Sequence, residues 1–194
     1  MSTLFTNFFT KINQIPPLEH DFTEVLESIA LKPKTLYFRG KLPQNVVKNG
    51  KTDRRKTVAI VGSRHNTKYG EEVAYRLAYE LGKRGAIVVS GLAFGIDSIG
   101  HRGCLDAGGT TVAVLGTAID KIYPTAHLAL AKEIVANKGA IISEYAPRTK
   151  VFARTSFLER NRLISGLSDI VVVVEAAEKS GHKNIYIHKE DHFT

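Results

Sequence analysis

The sequence predicts an α/β protein with a doubly wound, Rossmann-like parallel sheet, on two observations. From Thr57 onward, short apolar runs rich in β-branched residues alternate with segments of helical apolar spacing. Each run is apolar at successive positions, as in strands that are covered on both faces. Right-handed crossovers then place helices on both sides of the sheet. The expected strands are 58–61, 87–89, 111–115, 140–142 and 170–174.

Four segments are expected along the chain. Residues 1–31 form a short N-terminal helical segment, with a capping box at Asp21–Glu24. Residues 32–56 form a basic linker that begins with a short strand at 35–38. Residues 57–181 form the Rossmann-like domain, and residues 182–194 form a divergent tail.

The helices of the core are indicated by apolar stripes and by glycines that end them. One runs from about Tyr69 to Lys83 and a second follows the glycines at 91–95. A third spans about 128–137, and a short fourth covers about 158–164, with Phe157 next to it facing inward.

The composition is that of a globular protein outside the membrane and the secretory route. The 194 residues are 43% hydrophobic and 24% charged, with no apolar run long enough to span a bilayer. The first ten residues carry no basic signal-peptide region, and the single cysteine, Cys104, cannot form an internal disulfide. We therefore expect a cytoplasmic protein.

The net charge of +8 is concentrated in one stretch. Nine basic residues and one acid, Asp53, lie between Leu31 and Lys56, whereas the rest of the chain is balanced. A solvated face and a surface for a polyanionic partner both account for such a stretch.

A glycine turn at 90–95 joins the expected strand 87–89 to the helix after it. Backbone N–H groups at a strand–turn–helix junction favour an anion such as phosphate. The spacing of Gly91 and Gly95 matches neither the dinucleotide fingerprint nor the P-loop. Close packing of the strand and the helix is the alternative reason for the two glycines.

Polar and cationic residues follow several of the expected strands, and the carboxyl ends of parallel strands meet at one edge. Arg64 is a candidate phosphate ligand there, or else it forms a surface ion pair. Lys121 is a second candidate ligand, or else a solvated loop residue. Phe94 is suited to stack on a base or to fill the core. Asp97 either complements the helix dipole or has a functional role, and the structural role is favoured. His101 is expected to pack or hydrogen-bond within its helix, with acid–base chemistry as the alternative.

A series of ordered motifs then resembles one family. The motifs are GSR at 62–64, SGLAFGID at 90–97 with His101, AVLG at 113–116, IYP at 122–124, SE at 143–144, RNRLISGLS at 160–168 and VVVEA at 172–176. This order resembles the DprA/Smf family of DNA-processing proteins. The resemblance implies an extended Rossmann fold, single-stranded DNA binding, a homodimer, and loading of a RecA-type recombinase in natural transformation.

The resemblance also implies which residues form the site, and Phe94 joins them from the argument above. The expected DNA- or phosphate-binding residues are Arg64, Ser90, Gly91, Phe94, Gly95, Lys121, Arg160 and Arg162. The residues expected to support them are Gly62, Ser63, Asp97, His101 and Asn161. No catalytic residue, metal or cofactor is expected, and the protein is expected to be a binding protein and not an enzyme.

The chain departs from the family pattern at identifiable places. Gly100 stands where the family has alanine, and Leu158 replaces a proline. The match ends at Ser180–Gly181, so we expect a C-terminus truncated relative to the family. Three histidines in the tail suit either a metal or a solvated tail: His182, His188 and His192.

Two other classes of function stay open at this point. A related Rossmann-like group cleaves the glycosidic bond of nucleoside monophosphates, although its P-G-G-x-G-T-x-x-E signature is absent from this sequence. Carboxylates near the strand ends could serve such chemistry: Asp97, Asp120, Glu144 and Glu175. A scaffold that only dimerises or binds a protein partner is the third class.

Overall fold

The computed structural model describes residues 11–44, 46–48 and 51–176. Seven strands form one sheet in the order β1-β2-β8-β7-β6-β5-β9. Two further strands, β3 (Val46–Lys48) and β4 (Lys51–Asp53), form a separate antiparallel hairpin. The strands of the sheet are β1 Asn13–Ile15, β2 Leu36–Gly40, β5 Thr57–Gly62, β6 Ile87–Ser90, β7 Thr110–Val114, β8 Ala140–Ser143 and β9 Ile170–Val174.

Strands β5 to β9 are parallel to one another, and β2 joins β8 in the antiparallel direction. The chain moves outward from β5 through β6 and β7 to β8, then returns to place β9 on the other side of β5. The connecting helices are α1 (Lys68–Lys83), α2 (Ile96–Asp106), α3 (Leu128–Ala136) and α4 (Ala153–Gly166). The predicted fold class is therefore confirmed.

The two faces of the sheet are covered by different elements, because alternate residues of a strand point to opposite faces. Val58, Ile60 and Val88 pack with residues of α1 and α2, and Ala113 and Ile141 pack with α3. The other face is covered by α4 and by a 3₁₀ helix at Glu24–Ser28. Helix α4 is thus the crossover that lies opposite the first three helices.

The elements before the core differ from the sequence prediction. The expected N-terminal helix is the short 3₁₀ helix at Glu24–Ser28, without a side-chain cap. The Thr23 hydroxyl donates to the carbonyls of Pro17 and His20 and so does not cap this helix. Strand β1 was not predicted, since three residues carry no recognisable periodicity.

The parallel strands give the sheet two distinct edges. The carboxyl edge is where β5 to β9 end, and the amino edge is where they begin. Strands of four to six residues separate the two edges by about 13–20 Å. None of the helices within the described part of the chain is long and apolar enough to cross a membrane.

Candidate functional site

A pocket opens at the carboxyl edge, between the loops that follow β5, β6 and β7 and the first turns of α4. Three loops lead to helices on one face of the sheet, while α4 begins on the other, so a crevice is left between them. Its lining residues are Arg64, Gly91, Ala93, Phe94, Tyr123, Pro124, Phe157 and Arg160.

Three aromatic rings and one exposed guanidinium define the mouth of this pocket. The side chains of Phe94 and Tyr123 are each 49% exposed. The Tyr123 ring lies 5.4 Å from the Phe157 ring, centroid to centroid. The guanidinium carbon of Arg64 lies 5.9 Å from the centroid of Phe157, which is within the range of a cation–π contact. A cation and flat apolar surfaces are therefore available side by side.

The glycine turn is held from within by Asp97. One oxygen of this buried carboxylate accepts hydrogen bonds from the N–H groups of Gly91, at 3.0 Å, and Ala93, at 3.4 Å. Asp97 lies in the first turn of α2, where a negative charge is favoured by the helix dipole. Two N–H groups of the turn, which was expected to bind an external anion, are thus already satisfied by Asp97. The amides of Phe94 and Gly95 make no hydrogen bond to any described residue.

Gly62, Ser63 and Gly95 bring the β5 loop against the glycine turn. Gly95 has a φ of +74°, and a Cβ atom there would collide with the carbonyl oxygen of Ser63. The Ser63 carbonyl accepts a hydrogen bond from the Ile96 N–H at 3.1 Å. A Cβ atom on Gly62 would collide with the carbonyl of Val174. These close backbone contacts fix the position from which Arg64 extends.

Arg160 lies beneath the glycine turn and not in solvent. Its side chain is buried, and its Nη1 donates hydrogen bonds to the carbonyls of Gly91, at 2.8 Å, and Val114. Burial lowers the pKa of Arg160 to about 10, and the nearby Asp97 opposes this shift. The guanidinium therefore stays charged at neutral pH and ties β7 to the turn.

Of the remaining predicted residues, some are held by contacts within the protein, and one is exposed away from the pocket. Arg162 is paired with Glu144 through two hydrogen bonds of 2.6 and 2.8 Å, and Asn161 accepts a bond from Arg160. The Ser90 hydroxyl is buried and donates to the Ile60 carbonyl. Lys121 is exposed but does not line the pocket. The structure thus brings Arg64, Gly91, Phe94 and Arg160 together at the pocket, and the DNA contacts themselves stay predictions.

His101 is fully buried in α2. The Thr111 hydroxyl donates to the Val88 carbonyl, so its oxygen accepts the Nδ1–H of His101 at 2.7 Å. The Nε2 atom has no partner in the described structure, as expected for the unprotonated nitrogen of a neutral ring. Burial lowers the pKa of His101 to about 3, with smaller effects from His127 and Arg160. The ring thus hydrogen-bonds to β7 and not within its own helix, and its role as a support of the site stays a prediction.

The neutral state of His101 predicts a dependence of stability on pH. The unfolded chain binds a proton near pH 6.5 and the folded chain only near pH 3, so the free energy of unfolding falls as the pH drops through this window. The expected slope is at most about 1.4 kcal/mol per pH unit. Urea unfolding at pH 7, 6, 5 and 4 measures it. His101→Asn should make this slope less steep by nearly the contribution of one bound proton. An unchanged slope would contradict the assignment of a neutral His101 in the folded protein.

The carboxylates considered for glycosidic chemistry are all engaged in structural contacts. Asp97 holds the glycine turn, and Glu144 holds Arg162. Asp120 accepts from the Arg148 N–H, and Glu175 accepts from the Thr67 N–H at 2.8 Å. No group of three potential metal ligands occurs within the described residues, and the tail histidines lie outside them.

A family model described as DNA recombination-mediator protein A matches residues 13–185 of the chain. The chain belongs to this family. The family model covers the sheet, the glycine turn and the pocket described above.

Curated relatives and solved structures of the DprA family agree with this membership. The chain is 40% identical over 173 residues to Protein Smf of Synechocystis and 37% identical over 170 residues to DNA processing protein DprA of Bacillus subtilis. These alignments cover 86% and 88% of the chain, but only 40% and 54% of the two relatives. The chain thus spans about half or less of their length.

Two solved DprA structures are similar in fold. The Helicobacter pylori protein, studied for its single-stranded DNA binding mode, superposes with a TM-score of 0.73 at 32% identity, covering 90% of this chain and 74% of that one. DprA from Streptococcus pneumoniae also gives 0.73, at 31% identity, covering 93% and 60%.

Sequence reasoning missed the aromatic wall of the pocket. Tyr123 was seen only as part of the IYP motif, and Phe157 was expected to face the core, whereas it lines the pocket beside Arg64. The one available signal was that Tyr123 lies in the loop that follows β7.

Proposed function

We propose that the chain binds single-stranded DNA in the carboxyl-edge pocket. The observation that carries this proposal is the exposed Arg64 guanidinium beside the half-exposed rings of Phe94 and Tyr123. Proteins that bind single strands combine cations for the backbone with aromatic rings for the bases. Membership of a recombination-mediator family supports the same reading.

In this proposal different groups of the pocket contact the phosphate and the base of a nucleotide. Arg64 and the amides of Phe94 and Gly95, which have no partner among the described residues, bind phosphate oxygens, because hydrogen bonds to an ionised phosphate are charge-assisted. Phe94 and Tyr123 stack on bases. Neither contact reads base edges, so little sequence preference is expected.

Arg160 and Arg162 support the site in this proposal and do not touch DNA. Both guanidinium groups are already used, by backbone carbonyls in one case and by Glu144 in the other. Lys121, exposed on the loop after β7, contributes a more distant phosphate contact. This role of the RNR element differs from the direct contact that the sequence suggested.

The wider activity proposed is that of a recombination mediator. A DNA strand that is held by its phosphates and by only some of its bases can still be transferred to a RecA-type recombinase. As in this family, the protein is proposed to act as a cytoplasmic homodimer. The recombinase contact and the dimer contact are proposed for the whole protein.

The proposal is tested by titrating the chain with a fluorescent oligo-dT at several salt concentrations. Neutralising about three to five phosphates gives a plot of log K against log salt with a slope of about −2 to −3.5. An oligo-dC of equal length should bind within a few-fold. An affinity that does not change between low and moderate salt would contradict the proposal.

A further inference from the structure

Besides the cations at the pocket, a second set of exposed cations lies around the amino edge of the sheet. Lys56 comes just before β5, Lys83 lies at the end of α1 before β6, and Lys138 lies just before β8. Lys41 follows β2, whose direction brings its end to this same edge. All four side chains are exposed and make no ion pair or hydrogen bond with the residues that the structure describes.

A fifth cation, Arg55, is held rigidly in the middle of this edge. Its Nε donates to the Gly85 carbonyl at 2.9 Å, and its Nη1 donates to the Thr110 hydroxyl at 3.2 Å. These contacts join the starts of β5, β6 and β7. The guanidinium is half-buried, and its Nη2 has no acceptor among the described residues. Because these contacts already fix the Arg55 guanidinium, the binding of an anion requires no further ordering of this side chain.

The acidic residues near this edge have partners already. Asp169 pairs with Arg54 and accepts from the Thr57 N–H at 2.8 Å. Glu80 lies 3.7 Å from Arg84, and Asp106 accepts from the Tyr75 hydroxyl at 2.9 Å. The local field is therefore positive.

The spacing of these cations suits a long polyanion and not a single small ion. Four strand intervals separate the end of β2 from the start of β5, which places Lys41 and Lys56 about 19 Å apart across the edge. Lys138 and Lys83 come before the strands β8 and β6 in between, and the Arg55 guanidinium reaches the starts of β6 and β7. A row of unpaired like charges is matched by the regularly repeated phosphates of a polynucleotide.

We infer that the amino edge is a second nucleic-acid-binding surface, which holds the phosphate backbone of a DNA strand away from the carboxyl-edge pocket. The surface comprises Lys41, Arg55, Lys56, Lys83 and Lys138. It binds backbone alone, since the described residues at this edge place no exposed aromatic ring beside the lysines. A strand long enough to leave the pocket and pass around the sheet reaches both surfaces.

The test compares a short with a long oligonucleotide. The triple variant Lys56→Gln, Lys83→Gln, Lys138→Gln should bind dT4, which is too short to reach both edges, within twofold of the wild type. Its affinity for dT40 should fall about tenfold or more, and its salt slope should become less steep by about 2, at about 0.7 per lost phosphate contact.

The matched control removes the same charge elsewhere. Arg76→Gln, Arg102→Gln, Lys132→Gln changes three cations in the middle of α1, α2 and α3, away from both edges of the sheet, and should leave dT40 binding within twofold. The inference is overturned if the amino-edge variant binds dT40 as the wild type does, or if the control variant loses as much affinity. Failure of the pocket proposal is distinguishable, because the wild type would then not bind dT4 while the amino-edge variant still lost affinity for dT40.

Discussion

Arg160→Leu is expected to lower the free energy of unfolding by about 3–5 kcal/mol and to abolish oligo-dT binding. The substitution leaves the carbonyls of Gly91 and Val114 buried without a donor. It also removes the cation beside the buried Asp97 carboxylate. Each uncompensated polar group costs about 1–3 kcal/mol, and a charged one costs more. The glycine turn then loses its support from below.

Urea unfolding followed by circular dichroism measures this loss. Arg102→Leu is the matched control, because Arg102 pairs with Glu133 where both side chains are about 40% exposed. Its removal should cost no more than about 1 kcal/mol. If Arg160→Leu lowers the free energy of unfolding no more than this control does, Arg160 does not support the glycine turn.

Gly95→Ala is expected to cost about 2–4 kcal/mol of stability and to weaken oligo-dT binding at least tenfold. The residue has a φ of +74°, which an alanine adopts only with strain. The added methyl group would also press on the Ser63 carbonyl and on the backbone of Arg64, 2.9 Å away. The β5 loop must then move, and Arg64 moves with it.

Gly108→Ala separates strain from crowding. Gly108 has a similar φ of +69°, but nothing lies within 4 Å of the place where its Cβ would be. Its substitution should cost about 1 kcal/mol and leave DNA binding unchanged. Equal costs at Gly95 and Gly108 would show that the close approach of the β5 loop to α2 is not important.

The sequence was sufficient for the core of the fold because its strands and helices are strongly periodic. The run Ile170–Val174 is the same as the predicted strand, and α1 begins one residue earlier than predicted. The N-terminal part was harder. Strand β1 exists because it pairs with β2, and such a tertiary contact leaves no local pattern.

The site could be located from the sequence but not built from it. Glycines and cations after strand ends indicate the carboxyl edge, and Arg64 and Phe94 lie at the pocket there. Whether an arginine points outward or inward depends on the carbonyls it meets, so the buried Arg160 was placed among the DNA ligands. The sequence likewise did not indicate that Asp97 accepts a hydrogen bond from the glycine turn, because an acidic residue in a first helical turn is common.

The charge of the chain is the clearest case where sequence and structure answer different questions. The basic stretch from Leu31 to Lys56 indicated a polyanionic partner. The structure places its last residues, Arg54 to Lys56, at the amino edge, across the sheet from the pocket. A count of charges does not say at which edge of a sheet they lie.

The central claim is that Arg64 binds DNA phosphate at the carboxyl edge, and the affinity of Arg64→Ala for oligo-dT tests it most directly. The variant should lose about 1–3 kcal/mol of binding free energy, as for a lost charge-assisted contact, without losing stability, since Arg64 is exposed. Arg76→Ala, on the exposed side of α1, should bind as the wild type does. An Arg64→Ala protein that binds oligo-dT with unchanged affinity would contradict the account.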